Sequence, residues 1–145
     1  MKLSLINLHP RRRIRLDRWR PTVSALIRLL RRHPERWPKF QVTNLEVVFL
    51  DDRKIAKVNR QFLRHCGPTD VITFNLGLGI ATLLVSLDAA RRQAKTYRQT
   101  VERELTLYLA HGMLHLAGLN DATPRQRHCM QLEEQWLLQK LKRFR

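Results

Sequence analysis

Apolar and polar positions alternate with two different periods along this chain. Leu3, Leu5, Ile6 and Leu8 predict a short first strand, and Leu45, Val47, Val48, Phe49 and Leu50 a second. The second is apolar on both faces, which marks a strand covered on both sides and therefore central. Val71-Ile72-Thr73-Phe74 and Leu83-Leu84-Val85 read as a third and a fourth, with Gly77 and Gly79 punctuating the connection. Elsewhere the period is that of a helix. Val23, Leu26, Ile27 and Leu30 form the stripe of a first helix running to about Arg32, with Asp17 placed to cap it and Pro34 and Pro38 beyond its end. Asp51-Asp52 opens a second, whose buried face is assigned to Ile55, Val58, Phe62 and Leu63. Ser86 or Asp88 caps a third through Ala89–Tyr97, and Thr100 caps a fourth. Thr123-Pro124 starts the last, which is expected to bury Met130, Trp136, Leu137, Leu141 and Phe144. With no repeat and no linker, the pattern predicts a single α+β domain over residues 1–145, with four strands and about five helices.

The fourth helix differs from the others. From Leu105 to Leu119 it is apolar on nearly every side, the pattern of a helix buried in a core. His111 and His115 are the imidazoles within it, and at ~100° per residue they share one face, a turn apart. Imidazoles among apolar side chains are costly unless something satisfies them. Gly118 is placed to end the helix in a left-handed conformation, so that the chain folds back and brings Asp121 towards both rings. Two nitrogens and one oxygen, with a fourth position open to water, make the ligand set of a catalytic zinc site. The expectation is one zinc ion per chain on His111, His115 and Asp121. His128, inside the last helix, is the rival for the third ligand. A zinc peptidase of the H-E-x-x-H type is disfavoured, because its general base falls on Gly112.

Charge narrows the partner. Against 28 Lys and Arg stand 12 Asp and Glu, a net charge of +16. Most of the basic residues are arginine, whose planar fork suits phosphate, so a long polyanion such as RNA is the natural partner and an anionic membrane surface the lesser one. The basic run Arg11–Arg13 is a candidate phosphate contact or a solvated stretch. Cys66 and Cys129 form no framework of disulfides and fit a reducing cytosol. No apolar run reaches the ~18 residues of a membrane span, and Met1–His9 is too short for a signal peptide. A cytoplasmic protein without nucleotide cofactor is expected. His9 and His33, beside prolines, are expected on the surface, as is His65 in its loop.

The run His111-Gly112-Met113-Leu114-His115-Leu116-Ala117-Gly118-Leu119-Asn120-Asp121 resembles the H-G-x-L-H-L-x-G-x-D-H signature of the YbeY family of metal-dependent endoribonucleases. It keeps His111, Gly112, Leu114, His115, Leu116 and Gly118; Asn120 stands for the family's Asp, and Asp121 for its third His. Residues 58–74 are similar to a second signature of that family, matching at Asn59, Pro68, Thr69, Asp70, Val71 and Phe74, with Phe62 for a Tyr. The family's functional arginine falls on Leu63, which leaves Arg64, one residue later, as the catalytic candidate for holding the scissile phosphate. An acidic residue usual before the fourth strand is Thr82 here, while Met130 and Glu133 fall where the family has Met and Glu. Over residues 44–138 the resemblance implies a four-stranded mixed sheet with helices around it and a zincin-like metal-binding helix. It also implies single-strand-directed RNA cleavage in small-subunit rRNA processing and ribosome quality control. The departures at Leu63, Thr82, Asn120 and Asp121 leave a second expectation: a non-catalytic RNA-binding assembly factor with a structural or vestigial metal.

Overall fold

The computed structural model describes residues 1–64, 67 and 69–142. The chain runs β1 (Lys2–Asn7), α1 (Leu16–Arg32), β2 (Asn44–Leu50), α2 (Asp52–Leu63), β3 (Val71–Gly77), β4 (Ile80–Ser86), α3 (Leu87–Tyr97), α4 (Val101–Leu116) and α5 (Pro124–Lys142). The strands form one mixed sheet in the order β1-β2-β4-β3. β1 and β4 lie parallel to β2, and β3 is antiparallel to β4. The four strands and five helices are those expected from the sequence, and β2 is interior as its two apolar faces required.

Register sorts the sheet's side chains onto two faces. Leu5, Val47, Leu83 and Thr73 lie in one row across the strands. On this face Leu45, Val47, Phe49, Leu83 and Val85 join Leu26 and Leu30 of α1, Leu109 and Met113 of α4 and Leu137 of α5 in the main core. The next row, Ile6, Val48, Leu84 and Ile72, faces the other way. There Val48, Leu50 and Ile72 meet Ile55 of α2 in a smaller core. α4 is buried from Glu104 to Ala117 save for Leu107, His111 and His115, each only partly exposed, which explains its nearly unbroken apolar run.

Several local expectations are corrected. Asp17 does not cap α1; Arg15 occupies that position without a side-chain bond to the helix's free amides, and Asp17 lies in the first turn paired with Arg15. In α2, Ile55 is buried, but Phe62 and Leu63 are 68% and 41% exposed, because this helix covers only the narrow second face of the sheet. Phe62 instead packs edge-on against Phe74. Ser86, not Asp88, caps α3, accepting from the Ala89 amide. Thr100 caps α4, accepting from Arg103. Thr123 and Gln126 form a reciprocal capping box at the start of α5: the Thr123 hydroxyl accepts from the Gln126 amide and the Gln126 carboxamide accepts from the Thr123 amide. Met130, Leu137 and Leu141 are buried and Trp136 partly so. His65, Cys66, Pro68 and Phe144 lie outside the described residues.

His9 is the largest departure. Its ring is fully buried rather than exposed. Nδ1 accepts from the Arg11 and Arg12 amides, so Nε2 carries the proton and donates to Asp88 at 2.9 Å. His33 is half-buried and stands edge-on to Trp37 and Trp136. Arg36 lies over both tryptophan rings and pairs with Glu133, which ties the loop after α1 to α5.

Candidate metal centre

α4 ends in a Schellman motif. The Leu119 amide donates to the Leu114 carbonyl and the Gly118 amide to that of His115, both at 3.0 Å. Gly118 at φ +98° supplies the left-handed turn that a Cβ would strain. The reversal carries the chain back past the face it has just left. Arg127 of α5 donates to the Asp121 and Ala122 carbonyls and holds this return loop from the other side. Asp121 is thereby delivered to the two imidazoles.

The distances are short. His111 Nε2 and His115 Nε2 are 3.1 Å apart, and Asp121 Oδ2 lies 3.2 Å from the first and 3.4 Å from the second. His115 Nδ1 donates to the Leu119 carbonyl at 2.9 Å, an oxygen that can only accept. His111 Nδ1 bonds to Glu134 Oε1 at 2.8 Å, a carboxylate that orders the ring in the same sense. With both Nδ1 protons committed outward, the two Nε2 lone pairs converge on each other and on a carboxylate oxygen. Three electron-rich atoms at these separations need a shared positive charge between them. Tetrahedral zinc with ligands at ~2.0–2.2 Å sets its ligand atoms roughly 3.4 Å apart, so the donor set and its spacing fit such an ion. His111, His115 and Asp121 could therefore hold a metal.

The rings are half-buried, 24% and 26% exposed at the side chain, so the site opens to solvent on one side. Burial opposes a charged His111, but Glu134, with Asp70 and Asp121 nearby, outweighs it and holds this imidazole above its ordinary value. Three carboxylates, Glu134, Asp70 and Asp121, thus favour positive charge at this ring. His128, the rival ligand, is exposed and lies outside the cluster. Gly112 faces the sheet: a Cβ there would meet Leu83 Cδ2 at 2.8 Å and Thr73 Oγ1 at 3.3 Å. Any side chain at that position would have to displace Leu83, so close packing of α4 on the sheet favours glycine there.

Glu134 was missed from sequence. Glu133, singled out above, points to Arg36, and its neighbour, ~100° round the helix, is the residue on His111. A signal did exist: Met130, Glu134, Leu137 and Leu141 occupy one face at helical spacing, all buried. A lone carboxylate in an apolar stripe asks for a partner. Arg64 caps the end of α2 in the left-handed conformation, with φ 56°, and is exposed. Among the described residues no side-chain bond joins it to the cluster. Asn59 donates to the Gly67 carbonyl and fixes the start of the loop that follows.

Known proteins resemble this chain along most of its length. The family model described as Endoribonuclease YbeY matches residues 6–142. A protein of that name from Elusimicrobium minutum is 40% identical over 94 residues, which cover 59% of this chain and 66% of the relative. One from Phocaeicola vulgatus is 40% identical over 97 residues, covering 65% and 70%. One from Chlorobium chlorochromatii is 37% identical over 106 residues, covering 71% and 68%. The matches thus span about two thirds of the relatives' own length. The solution structure of TM1509 from Thermotoga maritima superposes with a TM-score of 0.66 at 19% identity, covering 96% of this chain and 88% of the other, and so shares the fold.

Proposed function

The chain belongs to the YbeY endoribonuclease family, and from that premise we propose that it is a metal-dependent, single-strand-directed endoribonuclease. Its place is in small-subunit rRNA maturation and ribosome quality control, in the cytoplasm, with zinc as the metal. The observation that supports this reading best is the convergence of His111 Nε2, His115 Nε2 and Asp121 Oδ2 within 3.4 Å of one another. A divalent ion there would withdraw charge from a phosphoryl oxygen and make water more acidic. The protein's own part is positional. Glu134 and the Leu119 carbonyl fix the two rings, and the return loop sets the carboxylate. The three side chains stay partly exposed, so a phosphodiester would approach from the solvent side, and Arg64 is the nearest candidate in sequence to the family's arginine for holding it.

Metal analysis of the purified protein tests the site. About one zinc per chain is expected, lost in His111→Ala, His115→Ala and Asp121→Ala, but kept in Asp121→His and His128→Ala. Zinc retained by Asp121→Ala and lost by His128→Ala would reverse the ligand assignment. Cleavage of single-stranded RNA by the metal-loaded protein, abolished by chelation, tests the activity; Arg64→Ala should lower cleavage more than binding if it stabilises the transition state. The exposed Leu63, apolar where the family carries its arginine, favours the second reading, an assembly factor that binds RNA without cutting it. Full RNA binding with no chelator-sensitive cleavage would select that reading.

A further inference from the structure

At the N-terminal end of α4, away from the metal centre along the helix, the structure opens a cavity of about 990 Å³ between the segment after β1, α1 and the first turns of α3 and α4. Seven arginines line it: Arg11, Arg12, Arg13 and Arg15 from the segment after β1, Arg18 and Arg28 from α1, and Arg91 from α3. The lining contains one acidic residue, Glu102. Arg12 is engaged with Asp88 and Arg15 with Asp17. The other five are exposed, and among the described residues no ion pair or side-chain hydrogen bond engages them. Between the arginines the lining is apolar: Ile14 is partly exposed, and Trp19, Leu87, Leu105 and Leu141 are core residues that present only an edge to the groove.

We propose that this groove is a second RNA-binding site, which holds a single strand with its phosphates on Arg11, Arg13, Arg18, Arg28 and Arg91 and a base against the apolar floor. The proposal rests on the RNA reading above and adds where the strand is held. Five unpaired guanidinium groups on one concavity repel one another, and a polyanion relieves that cost while releasing its counterions. Arg18 and Arg28 are ten residues apart on one helix, so the basic wall extends ~15 Å along its axis. That length suits a stretch of strand rather than a single small anion. The apolar floor adds what a phosphate-only site lacks, a surface on which a base can stack. A flat membrane would reach the rim of such a groove but not its floor.

The groove is distinct from the metal centre. It meets α4 at Val101, Glu102 and Leu105, whereas the ligands are His111 and His115. The two sets of residues belong to opposite ends of the helix, ~10–20 Å apart along its axis. A strand in the groove is therefore anchored away from the bond to be cut.

The test measures binding of a fluorescein-labelled single-stranded RNA 16-mer by anisotropy at several salt concentrations, with wild type, an Arg13→Ala/Arg18→Ala/Arg91→Ala variant and a Lys57→Ala/Lys95→Ala/Arg98→Ala variant that removes equal charge elsewhere. The groove variant is expected to lose on the order of tenfold in affinity at low salt, and about 2 in the salt slope, at ~0.7 per phosphate contact. The control variant should lose much less. Crosslinks from 4-thiouridine RNA should map to residues 11–28. Equal losses in both variants, or crosslinks confined elsewhere, overturn the proposal. So does a groove variant that keeps its RNA affinity but no longer binds phosphatidylglycerol vesicles, which would assign the groove to a membrane surface. Wild-type cleavage of the same RNA separates the two levels. If wild type cuts the RNA while the groove variant binds like the control, the groove alone falls; if wild type neither binds nor cuts, the RNA reading falls with it.

Discussion

Glu134 stands behind the proposed metal centre, bonded to one of its rings and not among its proposed ligands. It donates nothing to the cluster directly, but it fixes which nitrogen of His111 is free, and it makes that nitrogen more basic. Glu134→Gln keeps the size and a hydrogen-bonding group but removes the charge. Metal affinity is expected to fall about 10–100-fold, with the thermal unfolding of the chelated protein nearly unchanged; calorimetric titration of zinc into the two proteins measures it. Unaltered affinity would reduce Glu134 to a packing residue. The convergence of His111, His115 and Asp121 was legible in the sequence because local geometry determines it: four residues place two rings on one face, and a helix-ending glycine returns the third group. Glu134 was not, because the contact to His111 crosses between α4 and α5, a relation that neither helix's spacing contains. His9 was misread for the same reason, its partner lying 79 residues away.

Between elements, the join around Asp88 is the clearest. This residue begins α3, accepts from the Asp52 amide at the start of α2 at 2.9 Å, and takes His9 and Arg12 from the segment after β1. Burial works to raise its pKa, but these donors prevail and hold the carboxyl below its ordinary value of 3.8. A carboxyl lowered by folding stabilises the native state above its unfolded pKa and loses that contribution as pH falls through the folded value. Unfolding stability measured from pH 6 downward should therefore decline through and below the ordinary carboxyl range, and Asp88→Asn should flatten that decline while lowering stability near neutrality. An unchanged acid limb in the variant would place the pH dependence elsewhere. Element existence was readable throughout, since strand and helix periods are local. Which faces were covered was less so: Phe62 and Leu63 sit at core spacing, yet α2 has a narrow patch of Val48, Leu50 and Ile72 to cover.

For the whole molecule the governing quantity is the net charge of +16. Repulsion among like charges opposes compaction, and at 0.1 M ionic strength it is screened beyond ~10 Å. The melting temperature of the free protein is expected to rise between low salt and about 0.15 M, and to rise less for the groove variant, which has shed three of the opposed charges. A melting temperature that falls with salt would mean that ion pairs such as Arg36–Glu133 outweigh the repulsion. The strand order has a consequence of another kind, in time. β2 lies between β1, whose crossover contains α1, and β4, whose crossover contains α2 and β3. Parallel partners so far apart in sequence close large loops, which slows their encounter, while β3 and β4 meet through a two-residue turn. The hairpin is then the fast element and the central strand the slow one. Because β4 is the last of the four described strands to leave a ribosome and the one that joins the hairpin to β2, the surface that receives Gly112 is not complete until residue 86 has emerged. The helix that carries both imidazoles follows directly behind it, so the order of synthesis finishes the platform just before the part that must dock on it.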